Sequence, residues 1–102
     1  LLLGSGQLFK NRVFTTLEQR YCDSKSSPSI HYAGRFAAKE SIIKAVKSSG
    51  YMNPIPFKEI EILPSDSGAP IVNLYFVLEG DCKVSISHTE SFATAFALYV
   101  QK

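Results

Sequence analysis

Residues 92–100 constrain this chain more than any other stretch. Phe92, Thr94, Phe96, Leu98 and Val100 alternate with Ala93, Ala95, Ala97 and Tyr99. A period of two marks a β-strand whose two sets of side chains point to opposite faces. The alanine face is flat enough for a helix to pack closely against it. The longest helical pattern spans roughly Ala33 to Ser48 and stops at Gly50, a suitable C-terminal glycine. On that helix Phe36, Ile42, Ile43 and Val46 share one broad apolar arc, with Glu40, Lys44 and Lys47 along its edge.

The remaining elements follow from local signals. Thr15 is a good helix N-cap and Glu18, three residues on, completes a capping box, giving a helix to about Cys22. Residues 23–29, rich in serine, read as a loop. Pro54 and Pro56 break the chain before a half-buried strand, Lys58 to Leu63, in which Ile60 and Ile62 face one way and two glutamates the other. Residues 64–70 form a turn in which Gly68 takes positive φ. Ile71 to Leu78 reads as a strand buried on both faces for part of its length, and Lys83 to Ser87 as the next. Helices early and a meander late predict an α+β fold, an antiparallel sheet packed against a long helix. A length of 102 residues suits one domain, residues 1–102. The opening Leu1-Leu2-Leu3, without an initiator methionine, reads as the tail of a helix whose beginning is not in this sequence.

A formal charge of +2 is too weak to argue for nucleic acid. The distribution matters more, because Arg12, Arg20, Lys25, Arg35, Lys39, Lys44 and Lys47 all fall in the first half, an asymmetry that suits an acidic protein or a polyphosphate. Cys22 and Cys82 have neither metal-ligand spacing nor a disulfide framework, so a reduced pair in a cytoplasmic protein is expected. No apolar run reaches transmembrane length, so no membrane role is expected.

Residues 34–44 carry the chemistry. Glu40 is a single carboxylate among Arg35, Lys39 and Lys44, an arrangement able to hold Mg²⁺ while the cations meet phosphate charge. Glu40 alone is too little for the metal, so a second carboxylate is expected from elsewhere. Spacing alone equally fits a solvated Glu40–Lys44 ion pair of about 0.3–0.5 kcal/mol. Arg35 has the planar fork that grips phosphate in bidentate fashion. Ser85 and Ser87 lie on one face of a strand that runs out into His88 and Thr89, groups suited to phosphate or ribose at a strand end. The serines and His88 do not make a hydrolase triad, since the nucleophile-elbow glycines are lacking.

The strings Arg12-Val13-Phe14-Thr15-Thr16-Leu17-Glu18, Gly34-Arg35-Phe36-Ala37-Ala38-Lys39-Glu40 and Val84-Ser85-Ile86-Ser87-His88-Thr89 resemble the holo-acyl-carrier-protein synthase family of 4'-phosphopantetheinyl transferases. The likeness runs from Gly6 onward. It implies transfer of 4'-phosphopantetheine from coenzyme A to a serine of apo acyl carrier protein, releasing adenosine 3',5'-bisphosphate. In that resemblance Glu40 matches the Mg²⁺-binding glutamate and Lys44 the lysine that assists at the pyrophosphate, the two catalytic positions. Arg35, Lys39, Lys44, Ser87, His88 and Thr89 match the coenzyme A region, and Phe9 and Arg12 lie on the segment that meets the acidic carrier. A homotrimer with sites between subunits is implied as well. The match begins after the family's first strand, of Gly-Ile-Gly-x-Asp type, whose aspartate is the other metal ligand, and Leu8 replaces the family's arginine beside Phe9. The rival reading is a non-catalytic module that binds coenzyme A or an acidic protein.

Overall fold

The structure, a computed structural model, describes residues 6–102, and the leading leucines lie outside them. Three helices come first: α1 (Gly6–Val13), α2 (Thr16–Asp23) and α3 (Pro28–Ser48). A 3-10 turn at Phe57–Glu59 leads into β1 (Ile60–Pro64), β2 (Pro70–Leu74), β3 (Gly80–His88) and β4 (Ala93–Gln101). β1 pairs antiparallel with β2, and β3 with β4, so the α+β expectation stands.

The capping box forms as the sequence signals it. Thr15 Oγ1 accepts from the Glu18 N–H at 3.2 Å, and the Thr15 N–H donates to Glu18 Oε1 at 2.9 Å. The long helix starts five residues earlier than its apolar pattern indicates, at Pro28. Proline at the first helical position needs no N–H partner and already has a helical φ, so it outweighs the loop-like serines around it.

β4 behaves as its alternation demands. Ala95, Ala97 and Tyr99 pack on the core, with Val84 and Ile86 of β3 beside them in register. Helix and sheet approach closely at Gly34, where an added Cβ would lie 2.9 Å from Ile86 Cγ2. Between them Ala38, Ile42 and Val46 of α3 meet Ile60 and Ile62 of β1 in a sealed core.

Two further expectations change. The single apolar arc of α3 is two faces: Phe36 turns away from the sheets to stack on Phe57 (5.4 Å) and to pack at a tilt against Phe9 (5.9 Å), under the short helices. The helix is wedged between two layers, so it needs apolar groups on both. The strand expected to run to Leu78 ends at Leu74, because Tyr75 reaches back to donate to Glu61 Oε1 at 2.8 Å and the chain bends there, leaving Val77 exposed. The turn between β1 and β2 forms as expected, with Gly68 at φ 89°.

Among the described residues no layer covers the outer face of the β3–β4 hairpin. Phe96, Leu98 and Val100 are 68%, 53% and 56% exposed, opposite Ser85, Lys83 and Asp81.

Candidate active site

α3 sorts its charged side chains by rotation. A step of 100° per residue puts His31, Arg35 and Lys39 in one row along the helix and Glu40 with Lys44 in another, about 140° and about 180° round from Arg35. The first row faces inward, against α2 and the strands; Glu40 and Lys44 face solvent.

Lys39 lies deepest and is fully buried. Its ammonium donates to Glu18 Oε1 at 2.7 Å, the Val13 carbonyl at 2.7 Å and the Phe57 carbonyl at 3.1 Å. Three donors meet three acceptors, so none remains for a ligand. Glu18 in turn accepts the Ile62 N–H on Oε2 at 2.8 Å, tying α2, α3 and β1 together. Burial pulls Lys39 below the usual lysine range, and the Glu18 carboxylate opposes it by holding the proton. Lys39 is therefore a core cation here rather than a contact for coenzyme A. Spacing could not show this, because burial depends on what α2 and β1 bring to the helix.

Arg35, one turn back, is 6% exposed and unpaired. Its guanidinium carbon lies 4.2 Å above the Tyr21 ring centroid, a cation–π contact, while Nε has no hydrogen-bond partner. Among the described residues the ion pairs are Lys39–Glu18 and Lys102–Asp81, and neither involves Arg35. A buried guanidinium with no carboxylate beside it calls for an anion. The cavity it lines, about 170 Å³, is closed by Tyr21, His31, Gly68, Ile86 and His88.

His88 and Thr89 do meet this region. The His88 and His31 rings sit 5.4 Å apart, edge to face, and both also line a second, wider cavity with Thr89, Glu90 and Ser27. Thr89 Oγ1 accepts the Ser91 and Phe92 N–H groups at 3.2 and 3.1 Å, which shapes the tip and leaves its hydroxyl proton free to donate. Ser87 is turned away. Strand alternation puts it on the outer face with Ser85, whereas Ile86 and His88 point towards α3. The structure thus sets Arg35 and His88 on one cavity and His88 and Thr89 on the other, and turns Ser87 to the opposite face of β3.

Glu40 and Lys44 are exposed one turn apart with no ion pair between them. Among the described residues no three of His, Cys, Asp and Glu gather to hold a metal. Glu40 is an unencumbered hard-oxygen donor, which suits Mg²⁺, an ion that keeps several waters and binds through one or two carboxylates plus substrate phosphate. Neither thiol rivals these groups: Cys22 is sealed in the core, and burial pushes it up to about 11.

At the other end, Phe9 is half-buried in the aromatic cluster with Phe14 and Phe36, while Arg12 is exposed on the last turn of α1 and Leu8 is 73% exposed. Two residues of the site, His31 and Tyr21, escaped the sequence reading. His31 had a usable signal, four residues before Arg35 and so on the same helix face. Tyr21 had none, since it arrives from another helix.

The family model of the 4'-phosphopantetheinyl transferase superfamily matches residues 5–97. A holo-acyl-carrier-protein synthase of Protochlamydia amoebophila is 42% identical over 99 residues, covering 92% of this chain and 80% of that protein. Among solved structures, the Chronobacterium ammoniagenes ACPS–CoA complex is similar, with a TM-score of 0.80 and 32% identity over 92% of this chain and 81% of that one. The Helicobacter pylori holo-acyl-carrier-protein synthase in complex with coenzyme A gives a TM-score of 0.75 and 31% identity, over 92% and 83%. Among the described residues no helix is long and apolar enough to cross a membrane.

Proposed function

Since the chain belongs to the 4'-phosphopantetheinyl transferase superfamily, and within it to the holo-acyl-carrier-protein synthases, we propose that it moves 4'-phosphopantetheine from coenzyme A to a serine of apo acyl carrier protein. The observation that carries this reading is Arg35, a buried guanidinium with an unpartnered Nε, opening into a cavity lined by imidazoles and a tyrosine. Arg35, His88 and Thr89 bind phosphate groups of coenzyme A. The serine hydroxyl gives up its proton to water as its oxygen bonds to the β-phosphorus, the bond from that phosphorus to the bridging oxygen breaks, and adenosine 3',5'-bisphosphate leaves with that oxygen. Glu40 would hold Mg²⁺, which when bound neutralises charge on the diphosphate. Lys44, one turn away, adds a mobile cation on the same side. Displacement of this kind depends on placement and charge more than on a strong nucleophile.

The split of α3 into two functional rows supports a homotrimer with sites between subunits. Glu40 and Lys44 point about 140° and about 180° away from Arg35, so one chain does not aim both sets at one point. A second copy resolves this, and the exposed Phe96, Leu98 and Val100 face supplies the apolar surface for it. Arg12 and exposed Leu8 on α1 form the carrier-facing patch, with Phe9 holding that helix in place from below. The reading treats the chain as one transferase domain. The two free thiols accord with a cytoplasmic setting.

The test is incubation with apo carrier, coenzyme A and Mg²⁺, read by mass spectrometry. The carrier should gain the phosphopantetheine mass, and Glu40→Ala should abolish the gain while coenzyme A binding persists. Arg35→Lys should weaken coenzyme A binding about 10–100-fold, the loss of about 1.5–3 kcal/mol in charged hydrogen bonds. Binding of coenzyme A with no mass gain under any metal condition would favour a non-catalytic module, for which the lone carboxylate at Glu40 is the motivating observation.

A further inference from the structure

His31 belongs to no motif of the reaction, yet with His88 it lines both the cavity beside Arg35 and the wider one at the strand tip. Its ring lies edge-on to His88 at 5.4 Å and to Tyr21 at 5.8 Å, and Tyr21 carries the Arg35 guanidinium on its face at 4.2 Å. These four side chains line a continuous path from the strand tip into the pocket. We infer that His31 takes up a proton when a phosphate group of the ligand settles beside Arg35 and His88, so that anion binding is linked to protonation of this one imidazole. The inference rests on the proposed function, because it needs coenzyme A to occupy this pocket.

The charges around His31 explain the linkage. Lys25 approaches from the loop after α2, Arg35 from α3 itself and His88 from β3, with Tyr21 of α2 as the polar neutral neighbour and the Glu90 carboxylate lining the wider cavity. With the pocket empty, partial burial disfavours the imidazolium, and repulsion from His88, Arg35 and Lys25 adds to this, so His31 sits below the usual histidine range. A phosphate placed among these cations reverses the balance by offering negative charge to every one of them. The imidazolium then donates to the phosphate and fixes its position, which neutral His31 does less strongly. His31 is thus a positioning residue whose contribution appears only as the pH falls towards the histidine range.

Linkage gives the size of the effect. One proton taken up on binding tightens Kd by at most about tenfold for each pH unit between the free and bound pKa values. Coenzyme A affinity of the full chain should therefore rise by roughly tenfold from about pH 8 to about pH 6, a range that brackets an ordinary imidazole. His31→Gln, which keeps a hydrogen-bonding side chain but cannot take the proton, should flatten that rise to roughly threefold or less. The ligand's own phosphate titrates near pH 6 in both proteins, so the difference between them isolates His31. An independent measurement uses the wild-type protein alone, following the His31 ring protons by NMR with and without saturating coenzyme A. The His31 pKa should rise on binding. Equal pH slopes for the two proteins, or a His31 pKa that stays put or falls when coenzyme A is bound, overturns this inference and leaves the proposed function standing. Failure of wild-type protein to bind coenzyme A at any pH overturns both.

Discussion

Replacing Lys39 with methionine distinguishes a core cation from a ligand contact. The variant keeps most of the stem volume and removes the ammonium that satisfies Glu18, Val13 and Phe57. Glu18 would stay buried, still bonded by the Thr15 and Ile62 N–H groups but facing no positive charge. Breaking a buried pair from one side costs about 3–5 kcal/mol. For a domain of this size each kcal/mol shifts Tm by about 4–8 °C, so Lys39→Met should melt roughly 12–40 °C lower. The partner variant Glu18→Gln removes the stranded charge. The double variant Glu18→Gln/Lys39→Met should recover about 2 kcal/mol or more of the loss, because a neutral pair no longer strands a charge in the core. Urea unfolding followed by circular dichroism gives the cycle, and calorimetric titration with coenzyme A gives affinity on the same samples. A Lys39→Met protein that melts within about 3 °C of wild type but no longer binds coenzyme A would refute the reasoning, since only a ligand contact at an exposed lysine behaves that way.

Two further outcomes test the frame of the site. Gly34→Ala should destabilise by about 1 kcal/mol, the overpacking against Ile86 outweighing the better helix propensity of alanine. In an Ile86→Ala background the same change should become neutral or stabilising, and an unchanged penalty there would show that the contact is not the cause. Glu61 should make the fold sensitive to acid. Burial raises its carboxyl, but hydrogen bonds from Thr15, Tyr75 and Asn73, with the nearby Lys39 charge, outweigh that and hold it below the usual range. A depressed native pKa contributes stability that is present above the unfolded value, near 4.3, and is lost as pH falls through the folded value. Urea midpoints should therefore drop below about pH 4.3 in wild type and less steeply in Glu61→Gln, and parallel curves would count against the network.

Much of this protein was legible in its residues because the signals are local. The Thr15–Glu18 box, the alanine face of β4 and the Gly68 turn each depend on neighbours within a few positions, and each formed as read. Period alone also located Arg35 and Glu40 on one helix. Periodicity could not say which of the α3 lysines would be swallowed, because Lys39 and Lys44 differ only in what the rest of the chain packs over them. Nor could it assign Ser87 and His88 to opposite faces of use, although their alternation was visible, since which face meets α3 follows from the pairing of β3 with β4.

The Thr15–Glu18 cap, the alternation of β4 and the chemistry of the Arg35–Glu40 block were written in the chain, since dihedral preferences and side-chain spacing act over single turns. Assembly assigned the roles within that block: long-range packing buried Lys39 against Glu18, set Tyr21 and His31 around Arg35, and, among the described residues, left the β4 apolar face exposed. Those outcomes turn on desolvation and charge pairing between segments far apart in sequence, which no local pattern encodes.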